Sequence, residues 1–109
     1  MFEAQFQYIT FIYSLRHSRK VQSFLEENFF LIPLLIEAQY YIARYFPTSE
    51  VFLEVETDPE EKEDQLVALI ATSLSPDNAY RQLKQFDEDW WLDTLSQAQM
   101  KLCISVEFK

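Results

Sequence analysis

An α+β domain is predicted, with a three-stranded antiparallel or mixed sheet covered on one face by helices in the order α-α-α-β-β-α-β. Two stretches alternate apolar and polar residues as half-buried strands do. In one, Val51, Leu53 and Val55 oppose Phe52, Glu54 and Glu56; in the other, Leu102, Ile104, Val106 and Phe108 oppose Cys103, Ser105 and Glu107. Between Val21 and Tyr45 the apolar residues recur instead at spacings of three and four, which marks helix faces. Ser75-Pro76-Asp77 opens a further helix, because it supplies a capping hydroxyl, a proline at the first position and an acid near the positive end of the dipole.

At the N-terminus, Phe2, Phe6, Ile9 and Tyr13 recur at helical spacing, while Phe2, Ala4, Phe6 and Tyr8 alternate with Glu3, Gln5 and Gln7 as a strand would. A helix is expected, with its aromatics buried on several sides or packed on another chain. Residues 1–20 then serve as a helical extension or an oligomerisation arm of a single domain spanning 1–109, and Phe2, Phe6, Ile9 and Tyr13 are the candidates for a homodimer contact. Arg16-His17-Ser18-Arg19-Lys20 reads as a solvated junction. Val21, Phe24 and Leu25 form one short helix face, and Leu34 to Tyr45 a longer helix with Pro33 in its first turn. Phe46-Pro47 ends it, since the residue before a proline is pushed out of the α region. Asp58 to Asp64 is a polar hairpin loop leading to the apolar run Leu66–Thr72. Asp87-Glu88-Asp89 suggests a break or a second capped helix running to about Gln99.

The chain holds no glycine. A Gly-rich phosphate loop, a dinucleotide fingerprint, a nucleophile elbow and an EF-hand loop all need one, so these are excluded. With 49% hydrophobic residues, among them ten Phe, six Tyr and two Trp, the chain can fill a core without a disulfide or metal staple. One cysteine forms no internal disulfide, and no secretory leader pattern opens the chain, so a reducing cytoplasm is the expected compartment. The longest apolar run, Phe29 to Ile36, falls short of a membrane span. Residues 1–46 balance Arg16, Arg19, Lys20 and Arg44 against Glu3, Glu26, Glu27 and Glu37, so the whole net charge of −9 lies in residues 47–109. Such an acidic half repels phosphates, which argues against nucleic acid; the acid serves solubility or attracts a basic protein partner.

Few residues offer chemistry. Five carboxylates between Asp58 and Asp64 lack the ligand spacing of a calcium loop and read as a solvated hairpin tip. Asp87, Glu88, Asp89 and Asp93 surround Trp90 and Trp91, a carboxylate–indole mixture that suits either a small-ligand or enzymatic cleft or a capped helix anchored by its indoles. Trp90 and Trp91 are also candidate partner anchors. His17 lies among cations with no carboxylate to orient it, and Cys103 shows neither a base nor a cause for a lowered pKa. No cofactor and no metal is expected.

Ser23-Phe-Leu-Glu-Glu-Asn28, Ile36-Glu-Ala38, Tyr45-Phe-Pro47, Phe52-Leu-Glu-Val55, Thr57-Asp-Pro59, Phe86-Asp-Glu88, Trp90-Trp-Leu-Asp93 and Lys101-Leu-Cys-Ile104 resemble a family of small uncharacterised bacterial proteins plentiful in cyanobacteria. The resemblance spans about residues 21–108 and implies no activity. It implies members that sit beside genes of toxin–antitoxin type. The expected function is a non-catalytic acidic interaction module, the acidic member of a two-component pair. Phe52, Glu54, Glu56, Trp90, Trp91 and Glu107 are its candidate partner-binding residues. The alternative is a small-molecule-binding protein or enzyme using the Asp87–Asp93 carboxylates.

Overall fold

A computed structural model describes residues 1–109. Helix α1 (Phe2–Ile12) leads into β1 (Ser14–Leu15), followed by α2 (Ser18–Glu27), α3 (Leu31–Tyr45), β2 (Val51–Thr57), β3 (Asp64–Thr72), α4 (Pro76–Phe86) and β4 (Leu102–Phe108). The four strands lie in the order β1-β2-β3-β4, with β1 parallel to β2, β2 antiparallel to β3 and β3 parallel to β4. The architecture is α+β and the sheet is mixed, with four strands where the sequence pattern suggests three.

The additional strand, β1, corrects the reading of the junction after α1. Tyr13 leaves the helix with extended angles (φ −130°, ψ 151°), and its buried hydroxyl donates to the carbonyl of Leu35 at 2.6 Å. The chain is thereby held against α3 and laid beside β2, with Ser14 opposite Phe52 and Leu15 opposite Leu53. The Arg16 N–H extends the ladder by donating to the Leu53 carbonyl at 2.9 Å. Arg16 therefore belongs to the sheet. The solvated turn begins only at His17, which adopts a left-handed conformation and starts α2.

Register places the core. Val51, Leu53 and Val55 pair with Ile70, Ala68 and Leu66, which pair in turn with Val106, Ile104 and Leu102. Because side chains alternate along a strand, these residues share one sheet face. Ile9 and Tyr13 of α1, Val21, Phe24 and Leu25 of α2, six residues of α3 from Leu31 to Ile42, and Phe86 of α4 close over that face in a single apolar cluster. All four helices are committed there, so the opposite face has no helical cover.

The Ser75 hydroxyl caps α4 by accepting from the Asn78 N–H at 3.4 Å, and Pro76 takes the first turn. At Asp87 the expected break is absent. The helix continues through a π-helical turn (Asp87–Trp91), in which Leu92 N–H bonds to the Asp87 carbonyl five residues back, then through Leu92–Thr94 to a 3-10 turn at Leu95–Ala98. Phe86, Trp90 and Trp91 are spaced four and five residues apart. A regular α-helix would turn Trp91 about 140° away from Phe86, whereas the wider π turn lets all three rings face the core.

The absence of glycine has a local consequence. His17, Thr48, Lys62, Gln99 and Met100 all take positive φ without it. Thr48 (φ 64°) is exposed and β-branched, the side-chain type least suited to that region. Thr48→Gly should therefore raise the unfolding free energy by about 1 kcal/mol, the relief of left-handed strain outweighing the added freedom of the unfolded chain. A higher urea midpoint with an unchanged slope is the expected readout; a lower midpoint would show that Thr48 is not strained.

The helix-free sheet face as a candidate site

Along the uncovered face, Ser14 and Arg16 come from β1 and its end, Phe52, Glu54 and Glu56 from β2, Val67, Leu69 and Ala71 from β3, and Cys103, Ser105 and Glu107 from β4. Register sets Phe52, Leu69 and Ser105 in one cross-strand row, Glu54, Val67 and Cys103 in another, and Glu107 beside Ala71. Val67 and Ala71 are buried yet lie outside the helical core. The small side chain of Ala71 leaves room for Glu107 to lean across the sheet.

Arg16 meets it. The guanidinium carbon lies 4.0 Å from the centroid of the Phe52 ring. One terminal nitrogen donates to Glu54 Oε1 at 2.9 Å and to Glu107 Oε1 at 2.9 Å, and the other donates to Glu107 Oε2 at 2.5 Å. A planar guanidinium suits this seat, since it stacks on an aromatic face and forks onto a carboxylate at once. The contact ties the N-terminal segment to β2 and β4 across the sheet. It is not sealed from water: the Arg16, Glu54 and Glu107 side chains are 35%, 25% and 36% exposed. Nearby, the Ser14 hydroxyl donates to Glu50 Oε2 at 2.6 Å. Glu50, Glu54, Glu56 and Glu107 thus ring an apolar strip of Phe52, Val67 and Leu69, with Arg16 among them and Lys101 and Lys109 bracketing β4.

Hydrogen bonds from Arg16 hold the Glu107 carboxyl below the usual glutamate range, and the same bonds push Arg16 further up. A group with a lowered folded-state pKa stabilises the fold above its unfolded pKa and loses that contribution as pH falls through the folded one. Glu107 should therefore titrate below an ordinary glutamate, with the Arg16 contact closed throughout the neutral range. Carboxyl-carbon NMR titration checks this. A Glu107 midpoint at the ordinary glutamate value, or one unmoved by Arg16→Gln, would contradict it.

The other candidate residues fall elsewhere. Trp90 and Trp91 are buried among Phe86 and Tyr41, and the Trp90 indole N–H donates to Glu37 Oε1 at 2.6 Å. They anchor their helix inside the fold, and Trp91 also lines a shallow depression with Leu95, Met100 and Cys103. Glu88, Asp89 and Asp93 are exposed on the outside of that helix, so carboxylates and indoles form no shared cleft. Asp87 is half-buried, and its carboxyl is pushed up by burial and then by Glu88. Burial, followed by Glu56 and Asp87, pushes the Cys103 thiol up, opposite to the shift a nucleophile needs. His17 is exposed at the start of α2. At the hairpin tip, Asp58 accepts the N–H groups of Glu60 and Glu61, which holds its carboxyl low and the loop folded on itself.

Of the expected dimer contacts, Ile9 and Tyr13 are buried in the chain's own core, while Phe2 and Phe6 stack on each other (centroids 5.7 Å apart) and pack against it. Tyr8 and Phe11, the other two aromatics of α1, are exposed. Two surface depressions differ in their lining. One of about 280 Å³ between α2 and β2 mixes Arg19 and Lys20 with Glu27 and Asp64, and one of about 360 Å³ is lined by neutral side chains and Lys109. No three or more His, Cys, Asp or Glu residues group so as to hold a metal ion, and no helix is long and apolar enough to cross a membrane.

Comparison with family models, curated proteins and solved structures finds no match for this chain. The resemblance seen in the sequence therefore lends no residue a role, and function is argued from the sheet face itself.

Proposed function

We propose that the protein is a non-catalytic, acidic interaction module that receives a basic protein partner on the helix-free face of its sheet. The observation that carries this reading is the face itself. It is a strip of half-buried Phe52 and Leu69 and buried Val67, rimmed by Glu50, Glu54, Glu56 and Glu107, on the side of the sheet away from the four helices. A rim of one sign steers an oppositely charged partner and fixes its orientation, while the apolar strip supplies contact area once it arrives. A two-component pair, one acidic chain meeting one basic chain, is the arrangement this surface suits.

Charge placement tests the reading. Glu50→Gln with Glu56→Gln removes two charges from the face and leaves the carboxylates that hold Arg16 in place. Glu60→Gln with Glu61→Gln removes the same charge from the hairpin tip. Association with a lysine- and arginine-containing peptide should slow several-fold in the face variant, and more than in the tip variant. The difference should vanish at 1 M salt, where the screening length falls to ~3 Å from ~10 Å at 0.1 M. Equal rates for the two variants, or rates indifferent to salt, would refute the reading.

A further inference from the structure

We propose that Arg16 occupies the seat of a partner's arginine, so that binding exchanges one guanidinium for another. The inference rests on the reading of the open face as a surface for a basic protein, and it names the side chain recognised there. The seat has three walls: the Phe52 ring beneath, Glu54 from β2 on one side and Glu107 from β4 on the other. An ammonium can be attracted to these groups but can neither stack flat on the ring nor fork onto Glu107, so the geometry selects arginine over lysine. Glu50 and Glu56 lie further along the same face and suit cations flanking that arginine.

The present occupant is built to leave. Arg16 directly follows a strand of only two residues, and the next residue, His17, is exposed in a left-handed conformation. More than a third of the side chain faces solvent. A partner arginine can therefore displace Arg16 while the main-chain bond from Arg16 to Leu53 stays in place. Until then the chain fills its own seat, which lowers apparent affinity by the fraction of molecules in the closed state.

Two peptides of equal length and charge, one with arginine and one with lysine at its cationic positions, test the exchange against wild type, Arg16→Lys and Arg16→Gln, each checked for folding by circular dichroism. Wild type should prefer the arginine peptide by about five- to tenfold. Arg16→Lys, which keeps the charge and loses the stacking and the fork, should bind the arginine peptide about three- to tenfold more tightly than wild type does. Its affinity for the lysine peptide should change far less. Arg16→Gln should also favour the arginine peptide, by more than its general gain for cations as measured with the lysine peptide. Equal binding of the two peptides by all three proteins would remove the arginine seat and leave the acidic face standing. An arginine preference that neither Arg16 variant strengthens would make Arg16 a fixed clamp and overturn the exchange. Binding of neither peptide by any of the proteins would remove the acidic-face reading with it.

Discussion

Trp90→Ala should lower the unfolding free energy by about 3–5 kcal/mol, a large part of the ~5–15 kcal/mol that holds a domain of this kind together. The indole is 5% exposed, stacks on Tyr41 with centroids 5.2 Å apart, and packs against Phe86 and Trp91. Removing it opens a cavity between the π-helical turn and α3, and strips Glu37 of its indole N–H donor. Trp90→Phe keeps most of the apolar surface and should cost less than Trp90→Ala, with the lost hydrogen bond contributing about 1 kcal/mol. Urea unfolding with an unchanged slope checks both. A Trp90→Ala cost below ~1 kcal/mol would put the indole at the surface, where a partner anchor belongs.

Ile9→Ala should cost about 2–5 kcal/mol, by an amount independent of protein concentration. Ile9 is fully buried and sits with Tyr13 in the cluster that closes over the sheet. Were α1 an arm holding two chains together, folding and association would be linked, and both the wild-type midpoint and the size of the mutational effect would move with concentration. Unfolding curves collected over a hundredfold range of concentration separate the cases. Superimposable midpoints place α1 in the core of its own chain. Midpoints that climb with concentration would restore the oligomerisation arm.

The strands most legible in the sequence are those whose alternation runs long enough to show. Val51–Thr57 and Leu102–Phe108 occupy the predicted residues end to end, because a half-buried strand writes its two faces into a period of two. The Ser75 cap was equally plain, since a capping hydroxyl and a first-turn proline act within a few residues. β1 left no such trace: two residues carry no period, and Arg16 merges by eye with His17, Arg19 and Lys20. Only the structure separates Arg16, which lies over the sheet, from those three, which are exposed. Nor does local pattern encode the meeting of Arg16 with Glu107, 91 residues away, made by the fold and permitted by a small residue at position 71. Alternation placed Phe52, Glu54, Glu56 and Glu107 on one face correctly, but not the cation already seated among them. Trp90 and Trp91 carry the opposite lesson. Tryptophan suits a core and an interface alike, and the π turn that brings both indoles inward is an i to i−5 hydrogen bond that residue spacing does not announce.

The measurement that bears most directly on the account is a two-dimensional NMR titration of the protein with a basic peptide at low salt. The account predicts that the largest shifts fall on Phe52, Leu69 and Ser105 and on the side-chain N–H of Arg16, while Glu60, Glu61 and Lys62 at the hairpin tip stay nearly still. Shifts centred on the tip, or scattered evenly over the acidic half of the chain, would contradict it.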